Sequence, residues 1–177
     1  MVARRGAVIA WFLPPLLLWL VGSGAFSAPR WEEGYTAHRA MVKAPKIKVN
    51  GDMAFGEVMA GAAFRLDPMV DGAGAFEVDG EKGSEVLLAF ILPWELIGPG
   101  ESTVPISFGE ADAILSPDKA DPESGWRFDP RIPITYISPE GKGKAYVWLG
   151  ATVSPSFSVR AGEYEGTIVI EASYTGN

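Results

Sequence analysis

The chain has 177 residues, with 22 acidic against 15 basic side chains and a net charge of −7 at pH 7. This acidic balance disfavours binding to nucleic acids and to anionic membrane surfaces, because both need basic patches. The absence of cysteine excludes thiol catalysis, cysteine-ligated zinc and c-type haem attachment.

The N-terminal end has the three parts of a secretory signal peptide. Two arginines are followed by an apolar run and then by a tail of small residues. Small residues allow cleavage after Ala25 or after Ser27, so residues 1–27 are predicted to be a leader that is removed. An uncleaved membrane anchor is the alternative, but the run is shorter than the ~20 residues of a spanning helix and a proline pair interrupts it. We therefore expect an exported protein, in the periplasm, on the cell surface or outside the cell, without a stable membrane span.

Residues 28–46 are predicted to form an N-terminal arm ahead of the main domain, which spans residues 47–177. Within the arm, the small apolar residues Ala40, Val42 and Ala44 alternate with longer or charged side chains, as in a β-strand. The apolar phase then shifts at a proline, which indicates a bulge or a break between two short edge strands. Two interpretations are open: the arm is the first edge strand of its own sheet, or it is a donor strand that completes the sheet of a neighbouring protein.

The main domain is predicted to be an all-β, antiparallel β-sandwich. The 21 glycines and 14 prolines of the chain favour short strands joined by turns. The run from Val86 to Pro93 is continuously apolar, which is typical of a central strand that is covered on both faces. Trp94 beside it is predicted to cap the core. The other strands predicted in the first half of the domain are residues 53–58, 62–68, 75–80 and 103–108.

The C-terminal end shows the strictest alternation of apolar and polar positions. In the strand predicted up to residue 153, Tyr146 and Trp148 fall opposite the apolar face. Such alternation is typical of a strand with one buried face. Tyr164, between two glycines, is predicted to be a core or corner tyrosine and not a binding residue. The residues predicted to face the core are Ala145, Val147, Leu149, Ala151, Val153, Ile168, Ile170, Ala172 and Tyr174.

Residues 111–144 are rich in proline, glycine and acidic residues and are predicted to form a long loop, in which only residues 132–137 resemble a strand. A loop of this length is a candidate binding surface. Its acidic residues are candidate calcium ligands, although their order does not match a known calcium loop. The candidates are Asp118, Asp121 and Glu123 for calcium, and Trp126, Phe128 and Asp129 for a sugar platform.

The sequence contains few groups suited to catalysis. His38 is the only histidine and lies in the arm, which excludes a Ser-His-Asp triad within the domain and a two-histidine zinc site. The chain has no nucleophile elbow, phosphate-binding glycine loop or dinucleotide fingerprint. No residue is therefore assigned to catalysis, to a cofactor or to a metal, and we expect a protein that is not an enzyme.

Five short motifs resemble those of DUF4402, a family of bacterial secreted domains of unknown function. The resemblance covers residues 37–174 and is most specific at the C-terminal end. It implies an exported, immunoglobulin-like sandwich without an assigned activity, similar to chaperone–usher pilus subunits and to spore-coat-U-like secreted proteins. This chain has Gly150-Ala151 where the family has two glycines, and its 111–144 segment is longer and more acidic. The matching residues are Phe55 and Gly56; Phe76, Val78 and Gly80; Leu92 and Pro93; Leu149, Gly150 and Ala151; and Gly162, Tyr164, Gly166, Thr167 and Tyr174.

The sequence thus favours a non-enzymatic structural or interaction subunit of a pilus-like or other surface assembly. Such a subunit would pair with like subunits, or with other assembly proteins, by β-strand addition. The alternative is a monomeric secreted binding module that holds a glycan or calcium through residues 111–144.

Overall fold

The computed structural model describes residues 43–176. In this part of the chain, 43% of residues are in strands and 4% in helix, which confirms the prediction of an all-β fold. The predicted leader, His38 and the arm up to residue 42 lie outside the described residues. No described helix is long and apolar enough to cross a membrane.

Short strands separated by turns make up the described chain. The first six are β1 (Lys46–Gly51), β2 (Phe64–Leu66), β3 (Gly74–Asp79), β4 (Glu85–Ile91), β5 (Glu95–Ile97) and β6 (Thr103–Ser107). The next six are β7 (Ala113–Ser116), β8 (Trp126–Phe128), β9 (Ile134–Ile137), β10 (Lys144–Leu149), β11 (Ala151–Val153) and β12 (Val169–Tyr174). Single 3₁₀ turns at Pro99–Glu101 and Pro122–Ser124 precede β6 and β8.

The described strands pair into three antiparallel sheets. The five-stranded sheet has the order β1-β3-β10-β7-β8, the four-stranded sheet β2-β11-β6-β5 and the three-stranded sheet β12-β4-β9. Each sheet contributes side chains to one buried apolar cluster. The sheets therefore close around a common core, as expected for a β-sandwich.

The side chains of this core come from every second residue of the strands, because successive side chains of a strand point to opposite faces of the sheet. Val78 and Val147 of the five-stranded sheet, Leu88 of the three-stranded sheet and Ile106 of the four-stranded sheet are all buried. All the residues predicted to face the core between Ala145 and Val153 are buried as well, which confirms that prediction. Full burial of one such side chain stabilises the fold by roughly 1.5–3 kcal/mol.

The strand predicted across residues 145–153 changes sheets at Gly150. β10 belongs to the five-stranded sheet and β11 to the four-stranded sheet, with Gly150 alone between them. A Cβ atom at Gly150 would lie 2.2 Å from the carbonyl oxygen of Leu66 and 2.8 Å from the nitrogen of Pro68. The crossing therefore requires a residue without a side chain.

Asp112 fixes the backbone beside this crossing. Its carbonyl oxygen accepts a hydrogen bond from the Gly150 nitrogen at 2.8 Å. Its buried carboxylate accepts from the Gly109 nitrogen at 2.6 Å and from Arg65 Nη2 at 2.7 Å. Asp112 thus ties the β6–β7 turn, β2 and the crossing strand together, and its buried charge has the partners that a buried charge needs.

Two sequence predictions around β4 are wrong. β4 is the central strand of its sheet, but only one face is covered: Val86 and Leu88 are buried, whereas Ile91 is 58% exposed. The three-stranded sheet packs on the core through one face, and on the other face of β4 Leu87 and Ala89 are only half-buried. Trp94 is 76% exposed and does not cap the core, because its backbone pairs with Ile106 of β6 while its ring lies outside.

The structure also differs from the long loop predicted over residues 111–144. This segment contains β7, the Pro122–Ser124 turn and β8 in addition to β9, which confirms the strand-like character of residues 132–137. All four residues of β7 are buried, because β7 pairs with β10 on one side and β8 on the other. The prediction missed β7, a central strand of the five-stranded sheet, because turn-forming residues are abundant on both sides of it.

Two tyrosines of the core differ in how their hydroxyl groups are satisfied. Tyr164 is half-buried, and its hydroxyl donates to the Arg160 carbonyl oxygen at 2.8 Å and lies 2.9 Å from Ser102 Oγ. This contact confirms the predicted corner tyrosine. Tyr136 is buried, and its hydroxyl has no hydrogen-bond partner among the described residues. Burial raises the pKa of the Tyr136 phenol because it disfavours the charged form.

Replacing Gly150 by alanine is expected to lower the free energy of unfolding by at least about 3 kcal/mol, because the added Cβ overlaps backbone atoms that cannot move independently. Gly141→Ala is the matched control, since no atom lies within 4 Å of its Cβ position. Urea denaturation of the two variants compares them directly. Equal losses would contradict the role assigned to Gly150.

Tyr136→Phe is expected to leave stability unchanged or to raise it by up to about 1 kcal/mol, because it removes an unpaired buried hydroxyl. Tyr164→Phe is expected to lower stability by about 1 kcal/mol, because it removes a hydroxyl that donates to backbone. Thermal and urea denaturation measure both. A comparable loss in the two variants would show that the Tyr136 hydroxyl has a stabilising partner.

Candidate functional site

β1 is an edge strand of the five-stranded sheet and pairs only with β3 among the described strands. Ile47 lies opposite Val78 and Val49 opposite Phe76, so both side chains are on the core-facing side of the sheet. Val49 is nevertheless 58% exposed. The core is therefore incompletely covered along this edge.

β12 forms the corresponding edge of the three-stranded sheet. It pairs only with β4 in the described chain, and it lies against β1 across the sandwich. Its core-facing residues Ile170, Ala172 and Tyr174 are only half-buried. We call the line along which the edge strands β1 and β12 meet without pairing the open seam; its core-facing residues are Ile47, Val49, Ile170, Ala172 and Tyr174.

An apolar groove lies beyond the C-terminal end of β1. Residues 53–60 form one wall and residues 159–165 the other, around a volume of about 1010 Å³. Its charged residues are Glu57, Glu163, Glu165 and Arg160. The groove thus combines an apolar lining with one basic and three acidic side chains.

The predicted calcium ligands lie in turns. Asp118 Oδ1 accepts a hydrogen bond from the Ala120 nitrogen at 2.8 Å, and Asp121 Oδ1 accepts from the Ser124 nitrogen at 3.1 Å. Both carboxylates thus stabilise the turns that contain them. Within residues 43–176 there is no group of three or more side chains that could hold a metal ion.

The predicted sugar platform is divided between the core and the surface. Trp126 is 44% exposed, and its ring centroid lies 5.3 Å from that of Phe128, which is buried. Asp129 forms an ion pair with Arg131 at 2.6 Å. Trp126 alone of the three residues therefore presents an aromatic surface to solvent.

A pocket that the sequence did not predict lies between the two ends of the 111–144 segment. Its volume is about 750 Å³, and its charged and aromatic lining residues are Asp118, Lys119, Lys142, Lys144 and Tyr146. The turns after β7 and before β10 bring these residues together. The sequence placed Tyr146 on the face opposite the core, but nothing local indicated that lysines from separate turns would surround it.

Lys144 forms an ion pair with Glu77 of β3 beside this pocket. The hydrogen bond from Lys144 holds the pKa of Glu77 below its ordinary value, and the charges of Lys48 and Lys119 act in the same direction. The positive charges of these three lysine side chains therefore surround Glu77 on the outer face of the five-stranded sheet.

No protein-family model matches the chain, and no curated protein matches it. The DUF4402 resemblance therefore stays a prediction from the sequence motifs.

Acid is expected to remove a part of the stability that two carboxylates provide. Hydrogen bonds from Lys144 and from Arg131 hold the pKa values of Glu77 and Asp129 below their ordinary range. Such groups stabilise the fold above their unfolded-state pKa of about 4, and the contribution is lost as the pH falls towards the folded-state pKa. The melting temperature of the wild type should exceed that of Glu77→Gln/Asp129→Asn at neutral pH.

This difference should shrink as the pH falls from about 5 to about 2.5, and differential scanning calorimetry at several pH values measures it. The control is Glu140→Gln. A melting-temperature difference that stays constant across this pH range would contradict the assigned ion pairs.

Proposed function

We propose that this chain is an exported, non-enzymatic structural or interaction subunit, of the kind that the DUF4402 resemblance implies. It associates with like subunits, or with other proteins of a surface assembly, by β-strand addition. The open seam is the observation that carries this proposal. It combines two strand edges that have no partner in the described chain with core-facing side chains that are incompletely covered.

Strand addition would satisfy both features of the seam at once. An extended segment beside β1 would pair with the backbone groups on its outer edge, as edge strands do with added peptides. Every second side chain of that segment would cover Val49 and its neighbours. Because apolar burial stabilises by roughly 25 cal/mol per Å², small apolar residues at alternate positions suit such a segment.

The arm has this pattern in its sequence, with Ala40, Val42 and Ala44 at alternate positions. Residues 43–45 are described and belong to no strand, and β1 begins only at Lys46. The arm therefore leads directly into the edge strand that borders the seam. It can occupy the seam of its own chain or that of a neighbouring copy. The first case gives a monomer and the second an oligomer, so the two cases differ in the mass measured in solution.

A specific observation also favours the second candidate function, a binding module. The pocket between the two ends of the 111–144 segment is lined by Tyr146 and three lysines, which suits a glycan better than a cation. Calcium receives no support from Asp118 and Asp121, whose carboxylates stabilise turns, or from Asp129, which is paired with Arg131.

Deletion of residues 28–44 is expected to abolish concentration-dependent oligomers of the processed protein, because it removes the added strand. Light scattering after size exclusion measures the mass of the particle. Val49→Lys should weaken association about tenfold or more, because it places a charge in the apolar seam. Asn50→Lys, at the adjacent exposed bulge position, is the matched control.

A monomer at every concentration that unfolds on truncation would mean that the arm is an edge strand of its own sheet, and would overturn the proposal of self-association. Oligomers that survive both the deletion and Val49→Lys would show that the seam is not the interface. Processing after Ala25 or Ser27 is read from the mass of the purified chain in the same preparation.

A further inference from the structure

The outer face of the five-stranded sheet carries two aromatic side chains where solvent-facing positions are expected to be polar. Tyr146 and Trp148 are two residues apart on β10 and face away from the core, since Val147 between them is buried. Their ring centroids are 6.3 Å apart, with an angle of 40° between the planes. Trp148 lies opposite the buried Ile114 of β7 on one side and opposite Ala75 of β3 on the other, so its neighbour on the β3 side is a small residue.

Lysines are concentrated around this aromatic pair. Lys144 is on the same strand, and Lys48 is opposite Glu77, which in turn is opposite Tyr146. Lys119 and Lys142 reach Tyr146 from two separate turns and line the pocket above it. Three of the seven lysines in the chain therefore line one pocket with Tyr146, and Lys48 lies two strands away on the same face of the sheet, in a protein whose net charge is negative.

These lysines differ in their bonding. Lys144 is held by its ion pair with Glu77. In the described part of the chain, Lys119 and Lys142 form no ion pair and are exposed. Their ammonium groups are free to bind an external anion, while the fixed Glu77–Lys144 pair supplies further hydrogen-bonding groups beside Tyr146.

We propose that Tyr146, Trp148, Lys119, Lys142 and Lys144 form a binding site for an anionic polysaccharide that carries carboxylate or sulfate groups. This inference gives the ligand class for the second candidate function, the binding module, and does not depend on self-association. We call these five residues the Tyr146 site.

Each part of the site matches one chemical feature of such a ligand. The C–H face of a sugar ring is apolar and packs against an aromatic ring, which removes apolar surface from water. The anionic substituents pair with lysine ammonium groups, and the sugar hydroxyls have Glu77 and Lys144 as hydrogen-bond partners. A few polar groups placed around an aromatic surface are typical of a small-ligand site.

The shape of the site favours an oligomeric ligand. Lys144 and Trp148 are four residues apart on one strand, which corresponds to roughly 13 Å at the rise of a β-strand. The pocket lined by Lys119 and Lys142 extends beyond Lys144. An inorganic anion would need the lysines but not the two rings, and the acidic charge of the chain as a whole disfavours a nucleic acid.

Binding is tested with the full chain, purified as processed by the producing cells. The probes are an oligogalacturonate, a sulfated dextran, neutral dextran and polyglutamate of matched length. Tryptophan fluorescence and isothermal titration calorimetry report binding. At least one of the two anionic saccharides should bind, neutral dextran should not, and polyglutamate should bind at least about tenfold more weakly, because it lacks a face that stacks on the rings.

Two sets of variants separate charge from stacking. Lys119→Glu/Lys142→Glu should weaken binding of the anionic saccharide at least about tenfold, because both side chains are exposed and each reversal replaces an attraction by a repulsion. Arg160→Glu, a single charge reversal of the same kind in the apolar groove, is the control and should have no effect. Tyr146→Ala and Trp148→Ala should also weaken binding at least tenfold, with circular dichroism to verify that each variant is folded.

Three outcomes would overturn the proposal. The first is that neither anionic saccharide binds, and the second is that neutral dextran binds as tightly as the anionic saccharides. The third is that polyglutamate binds as tightly as they do and that the aromatic variants do not change its affinity. If an aromatic variant fails to fold, the Lys119→Glu/Lys142→Glu variant and the comparison with polyglutamate still test whether the Tyr146 site binds the saccharide. The lysine pair should leave the light-scattering mass unchanged, so failure of this inference is distinguishable from failure of the subunit proposal.

Discussion

The crossing at Gly150 is the constraint on which the remaining structure depends. A single stretch of chain, β10 followed by β11, is a central strand of two different sheets, and it can change sheets only because no side chain separates it from the Leu66 carbonyl oxygen and Pro68. The Asp112 backbone binds the crossing residue, while the buried Asp112 carboxylate binds Arg65 and the turn at Gly109. The positions of β2, β7 and β10 are thereby fixed relative to one another, and so is the place where Tyr146 meets the turns around it.

The division of the described strands into three small sheets leaves many strand edges without a partner strand among them. A sandwich built from sheets of five, four and three strands has more unpaired edges than one built from two large sheets, and such edges invite pairing with other chains. The outer side of β1 is protected, because Lys46 and Lys48 place charge on this edge. The core-facing side of β1 has no such protection at Val49, and the seam beside it remains open to an added strand.

Sequence patterns predicted the structure where the relevant information is local. The alternation in β10, β11 and β12 depends only on neighbouring residues, and it correctly assigned the buried face and the aromatic face. β7 was missed because its identity depends on pairing with β10 and β8, which lie far from it in sequence or beyond a turn. The Tyr146 site was missed for the same reason, since Lys119 and Lys142 line the pocket beside Tyr146 from two separate turns. The prediction that Val86 to Pro93 is covered on both faces was wrong for a different reason. An apolar run indicates burial but does not show whether a second layer of structure covers the other face of the sheet.

Strand addition and saccharide binding would reinforce each other through sheet geometry. An arm paired beside β1 continues the five-stranded sheet, so side chains that alternate with its core-facing residues join the outer face. When Ala40, Val42 and Ala44 face the seam, Arg39 and Lys43 face outward, on the side that already carries Lys48, Lys144 and Tyr146. The added strand would then extend the positive surface as it closes the core. Since polyvalent ligands bind more tightly to arrays of linked sites than to single ones, an assembly built in this way would retain an anionic polysaccharide more strongly than its separated subunits.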